Sequence, residues 1–284
     1  MNTIHKKIIW ILSFVLMSTL FLTLPAHQTQ AQESAPSWLN PSGMTVETRF
    51  PAPAGYFRKA DEDPYVDYMR NLPLLPDGSP VLIFNGDLKE DQSAHVAVID
   101  IDVLTYQECS DSAQRLRTEY LYKTKQFDKI NYHFSNGMAL PWKKWAEGYR
   151  VKKEGNKTWL VKTAKPSSSY NNFISYLNML FTYAGVNSVM KESKKITIAD
   201  LRPGDSIAAT GHLIIVLDVV ENEKGQKKFL LAQSYIPAQQ IEVLRNPYDN
   251  TTPWYDAAYL EQCPFITPEW VYKCPDGVGL YRIP

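Results

Sequence analysis

The feature that most constrains this fold is a near-continuous apolar run, Leu213–Val220, rich in β-branched residues and broken only by Asp218. Such a run bounded by turn residues reads as a strand. Pro203-Gly204-Asp205 supplies a turn before it, and Asn222–Gly225 supplies a hairpin after it. Phe229–Tyr235 is then the return strand. The earlier part of the chain is helical in pattern. Thr105-x-x-Glu108 reads as a capping box with Thr105 as N-cap, and Cys109, Ala113, Leu116 and Tyr120 follow at three- and four-residue spacing. Asp111–Arg115 and Arg115–Glu119 are spaced as ion pairs on a solvated helix face. A second helix is expected over Tyr170–Ala184, capped within Ser167–Ser169 and stopped by Gly185. Pro80–Phe84, Ala94–Val103 and Thr158–Lys162 read as strands, and Trp142–Tyr149 as a short helix. Helices followed by antiparallel strands packed beside them make an α+β arrangement.

The N-terminus points to export. Lys6 and Lys7 precede an apolar run from Ile8 to Leu24, Pro25 ends it, and Thr29-Gln30-Ala31 is a small-x-small site. These are the three parts of a signal peptide, although the run is also about the length of a short spanning helix. Cleavage near Ala31 would leave an irregular Pro-rich lead-in over 32–48 and a single α+β domain over 49–284. No Cys stands near the cleavage site to carry a lipid, and no second stretch is long enough to span a bilayer. A free periplasmic or extracellular protein, without stable membrane insertion after processing, is therefore expected. The 30 basic and 30 acidic residues balance, so nothing suggests a nucleic-acid partner.

Export makes the three cysteines informative. Cys263 and Cys274 are close in a loop-rich stretch and would pair in an oxidising compartment, leaving Cys109 unpaired. At the start of a helix, unpaired backbone N–H groups and the positive dipole end lower a thiol pKa. The plainer reading makes Cys109 a small apolar residue stapled against Leu104. His212 opens the apolar strand directly after Gly211, where packing gives no reason for a polar side chain. A hairpin centred on Glu223-Lys224 would set His212 opposite Tyr235 with Gln233 diagonal to it, and a one-residue slip would turn Gln233 to the other face. Cys109 as nucleophile, His212 as base and Gln233 as the group orienting the imidazole form a thiol–imidazole arrangement. The Cys109 N–H is a natural oxyanion donor, with Tyr106 or Gln107 as a second. His95 and His133 have no partners at metal-ligand spacing, and no metal or other cofactor is expected.

Several stretches resemble a family of uncharacterised bacterial envelope proteins, domain-of-unknown-function family 4846. They are Cys109–Tyr122, Arg202-Pro-Gly-Asp205, Gly211-His212, Leu230–Gln239, Pro253-Trp-Tyr255 and Thr267-Pro-Glu-Trp270. The resemblance covers nearly the whole chain from about Arg49. Many members look like lipoproteins, and this chain departs from them in lacking the lipid-bearing Cys. A looser likeness is to papain-like cell-wall peptidases and amidases: a Cys at a helix start, Pro-Gly-Asp, Gly-His opening a strand, and a polar residue on the next strand. That resemblance implies a papain-like fold and the roles given above for Cys109, His212 and Gln233. It implies a cysteine hydrolase acting on an envelope amide bond, with peptidoglycan stem peptide as the leading substrate. Tyr106, Tyr235 and Trp254 are the candidate substrate-binding residues. The alternative is a non-catalytic envelope binding or scaffold protein on the same fold. It would use Trp254, Tyr255 and Trp270 to bind glycan or peptide. The sequence does not fix the oligomeric state.

Overall fold

The computed structural model describes residues 38–209, 211–273 and 277–284. The signal peptide expected over 1–31 and the proposed disulfide partner Cys274 lie outside these. Among the described residues no helix is long and apolar enough to cross a membrane.

The elements that frame the site are, in chain order, helices α1 (Val46–Arg49) and α2 (Pro64–Arg70), strand β1 (His95–Val98), and helices α3 (Cys109–Lys123), α4 (Tyr170–Tyr183) and α5 (Val186–Glu192). Strands β2 (Ser206–Ala209), β3 (His212–Asn222), β4 (Lys227–Gln233), β5 (Glu242–Leu244) and β6 (Gly279–Arg282) complete them. The apolar run is β3, and the hairpin with β4 forms the centre of an antiparallel sheet ordered β1-β5-β4-β3-β2-β6. The two-residue strand Lys194–Lys195 closes the far edge. The architecture is α+β.

Both faces of β3 are covered, which explains why the run is apolar throughout instead of alternating. Leu213, Ile215, Leu217 and Val220 join the core that holds α2, α3 and α4, through Met69, Leu116, Phe173 and Leu177. Ile214, Val216 and Val219 join Phe229 and Leu231 in a second core under the C-terminal segment, with Tyr255, Phe265 and Tyr272. Odd-numbered residues face the helices up to Leu217, and even-numbered Val220 does so afterwards. A β-bulge makes that switch: Leu230 opposes Asp218, whereas Leu231 opposes Val216, so Leu217 has no partner. Two consecutive side chains thereby share the helical face.

Several elements differ from expectation. Helix α3 begins at Cys109, with Glu108 as N-cap. The Gln107 N–H bonds Leu104 O at 3.0 Å and the Glu108 N–H bonds Tyr106 O at 3.1 Å. These turns occupy the segment that a Thr105 cap would have made helical. Cys109 is therefore the first helical residue, and the staple to Leu104 is not formed. Nor is the charged face of α3 solvated. Asp111, Arg115 and Glu119 are 4%, 1% and 1% exposed. Arg115 pairs with Glu119 at 2.9 Å, and Tyr170 at the start of α4 closes over the pair with its hydroxyl 2.7 Å from Glu119. Pro80–Phe84 forms only isolated bridges, Leu82 to Leu88 and Ile83 to Gln239. The described part of the lead-in is not irregular throughout: Thr45 caps α1, and Val46 and Phe50 are fully buried. Gly185 both follows α4 and caps α5.

Candidate functional site

The site forms where the N-terminus of α3 meets the entrance to the β3–β4 hairpin. The Ser112 hydroxyl accepts the Ser234 N–H at 3.4 Å and donates to Cys109 O at 2.7 Å. The first turn of α3 is thus fastened to the end of β4. On the β3 side, the backbone N–H of Leu213, the residue after His212, faces the Cys109 sulfur, as does that of Ser110. Cys109 is 7% exposed and His212 2%.

Burial is the largest influence on both groups. It pushes the Cys109 thiol up, against the pull of the Leu213 and Ser110 N–H groups. It holds the His212 imidazole below its ordinary value, against Gln233 and Glu269. The helix start therefore does not depress the thiol pKa as its position suggested, since desolvation outweighs the dipole. Both shifts favour the neutral forms. Among the described residues no hydrogen bond joins the Cys109 thiol to the His212 ring.

The two residues share an aromatic enclosure. The His212 ring lies 5.3 Å from Tyr235, 5.0 Å from Trp270 and 6.2 Å from Tyr272, centroid to centroid. Burial raises the Tyr272 phenol, and Cys109 raises it further. The Tyr235 phenol is raised by burial, then by Glu269 and Cys109. Tyr235, Trp270, Tyr272 and Glu269 also line an open cavity of about 500 Å³, so the enclosure reaches solvent.

Gln233 stands diagonal to His212, with its Oε1 2.9 Å from the ring Nε2. Its Nε2 donates to Glu242 at 3.1 Å and to Glu269 at 2.7 Å. Lys89 donates to both Glu242 oxygens at 2.9 Å and to Glu269 at 2.9 Å. Gln239 adds a bond to Glu242 at 2.9 Å. Burial and the adjacent Glu242 carboxyl raise Glu269 to about 7, with Lys89 opposing. One lysine facing two carboxylates leaves room for one shared proton.

The other expected site residues are placed differently. Tyr106 is half exposed and does not line the cavity. The Gln107 side chain is committed to Ser234, Gln239 O and Arg115, so it is not a second oxyanion donor. Trp254 is a core residue, 1% exposed, whose Nε1 donates to Pro51 O. Tyr255 is fully buried. Neither can present a binding surface, because Trp254 is packed in the helical core and Tyr255 in the core on the other face of the sheet. Trp270 alone of those three lines the cavity. Cys263 is disulfide-bonded and Cys109 is a free thiol. Among the described residues no cluster of His, Cys, Asp and Glu is placed to hold a metal ion.

Sequence reasoning missed Lys89, Glu242 and Glu269. Glu242 had a faint signal: it opposes Gln233 directly in the β4–β5 register. In the run Ile241-Glu242-Val243-Leu244, however, a lone charge reads as a solvent-facing position. Lys89 and Glu269 lie in irregular segments far apart in sequence, where no periodicity marks them.

Compared with known proteins, residues 46–276 match the family model described as Domain of unknown function (4846). No curated protein and no solved structure matches the chain.

Proposed function

Since the chain belongs to this family, whose description names no activity, we propose a function from the site itself: an exported cysteine hydrolase of papain-like type that cleaves an amide bond in the envelope. One observation carries the reading. The Gln233 amide orients the His212 ring at 2.9 Å, while the neighbouring backbone N–H faces the only free thiol among the described residues.

In this reading the Cys109 thiol and the His212 imidazole are both neutral at rest. Sγ attacks the substrate carbonyl carbon as its proton passes to the His212 nitrogen not engaged by Gln233. The oxyanion is met by first-turn N–H groups of α3, which a helix leaves unpaired. The C–N bond breaks as His212 returns the proton to the amine, leaving a thioester on Cys109. Water attacks the thioester with His212 again as base, releasing the acid and the thiol. The open cavity beside His212, walled by Tyr235 and Trp270, suits a peptide, with peptidoglycan stem peptide the leading candidate.

The test is hydrolysis of peptides and muropeptides followed by mass spectrometry. Wild type should release an amine, and Cys109→Ala and His212→Ala should each lose turnover about as completely as the double variant. Wild-type turnover that survives in Cys109→Ala would end the reading. The burial of both groups favours the alternative, a non-catalytic binding protein. That alternative predicts muropeptide binding without cleavage, unchanged in both variants.

A further inference from the structure

The residues behind Gln233 do more than fill space. A glutamine amide can present either its oxygen or its NH₂ to a histidine, and the two orientations select opposite ring tautomers. At this site the choice is forced from behind. Glu242 is fully buried, and both of its oxygens accept from Lys89. Its Oε1 receives Lys89, Gln233 and Gln239 at 2.9, 3.1 and 2.9 Å. An oxygen receiving three donors carries no proton of its own. The NH₂ of Gln233 is consumed by Glu242 and Glu269, so its oxygen is turned to His212 Nε2 at 2.9 Å. Nε2 must then carry the ring proton, and Nδ1 keeps the lone pair. Flipping Gln233 would set its oxygen against two carboxylates inside the fold and leave its NH₂ facing the ring. Lys89, 8% exposed, is the counter-charge that faces Glu242 there, at 2.9 Å.

We propose that Glu242, held by Lys89, is a positioning residue that locks the Gln233 amide and thereby fixes His212 as the Nε2–H tautomer, with Nδ1 free to take the Cys109 proton. The assignment of the tautomer stands on the hydrogen-bond network alone; its consequence for rate rests on the hydrolase reading. Glu269 takes part from the rim of the cavity, and Glu242 is the member that the core encloses.

The direct measurement is an imidazole nitrogen–proton correlation spectrum of ¹⁵N-labelled wild type at pH 8, with His212 assigned from the His212→Gln spectrum. The expected result is a proton on Nε2. A proton on Nδ1 in wild type would overturn the proposal without any variant being made. Glu242→Gln leaves the amide only Glu269, at the solvent-facing rim, and should populate the Nδ1–H form in part, whereas Glu269→Gln should keep Nε2–H because the fully enclosed Glu242 still holds the amide. Should Glu242→Gln fail to fold, the pair Lys89→Met/Glu242→Met removes both buried charges together and should show the same mixture. A folded Glu242 variant with the wild-type tautomer also overturns the proposal. In a working hydrolase, Glu242→Gln should lower kcat roughly 100-fold with little change in KM, as expected when a base carries its proton on the wrong nitrogen. A tautomer shift in a protein that cleaves nothing supports the lock and removes the hydrolase. An active Glu242→Gln with unchanged tautomer does the reverse.

Discussion

The Asp111 carboxyl closes the start of the cysteine helix by accepting the Glu108 backbone N–H at 3.0 Å. Its second oxygen is buried without a partner, and burial raises the group to about 8. The native state therefore keeps Asp111 protonated between about pH 4 and pH 8, where the unfolded chain ionises it, and stability falls as pH rises through that window. Asp111→Asn keeps the acceptor and does not titrate. Its stability gain over wild type should grow with pH, by at most about 1.4 kcal/mol per pH unit. Denaturant midpoints at pH 5 and pH 7 check this; an equal difference at both would refute it.

Alkylation of Cys109 should be slow at pH 6 and should accelerate only above the ordinary thiol range, near 8.5. The thiol is raised and the imidazole lowered, so no ion pair supplies thiolate at low pH. Rates with iodoacetamide from pH 5 to 10 are the measurement. A plateau already reached at pH 6 would mean that a preformed thiolate–imidazolium pair exists.

Asp218 is fully buried and accepts Arg58 at 2.8 Å and Arg70 at 3.1 Å. It ties α2 and the segment after α1 to the sheet. Asp218→Asn leaves two largely buried guanidinium groups without their counter-charge and should cost about 3–5 kcal/mol. Equilibrium denaturation reads the loss directly, and a change under about 1 kcal/mol would show that water replaces the carboxylate there.

Trp254 fills the core beside Arg58, whose guanidinium lies 5.9 Å from the ring centroid. Trp254→Ala should destabilise the fold by about 3–5 kcal/mol through the cavity it leaves. Binding of a muropeptide at a temperature where the variant stays folded should be unchanged. A selective loss of binding would return Trp254 to the surface role that its position denies.

The central hairpin was legible because its signals are local: β-branched residues bounded by Asn222–Gly225. The count across that turn is one residue off at the tip, where Lys227 opposes Glu221, and the bulge at Leu217, which no sequence signal announces, restores the count and brings Gln233 diagonal to His212. The start of α3 was misread because Thr105 and Glu108 satisfy a cap pattern that the turns at Leu104 and Tyr106 override. The solvated face assigned to Arg115 failed for a different reason: i,i+4 spacing cannot tell an exposed pair from an enclosed one. The carboxylates behind Gln233 left only weak traces, Glu242 as a lone charge in an apolar run and Glu269 inside the Thr267–Trp270 stretch, since their proximity to Lys89 exists only once three distant segments have folded together.

The unpaired residue Leu217 makes changes of length in the hairpin come in unequal kinds. One residue added to each strand at the tip preserves the phase of both arms, so His212 and Gln233 stay on their face while the turn moves outward. One residue gained or lost in β3 between His212 and Leu217 reverses the phase there. Leu213 would then be presented to the aromatic cleft, and His212 driven toward Leu116 and the helices. The tip is therefore the place where this protein can accept an inserted loop, and the six residues beneath the bulge are where its spacing is rigid.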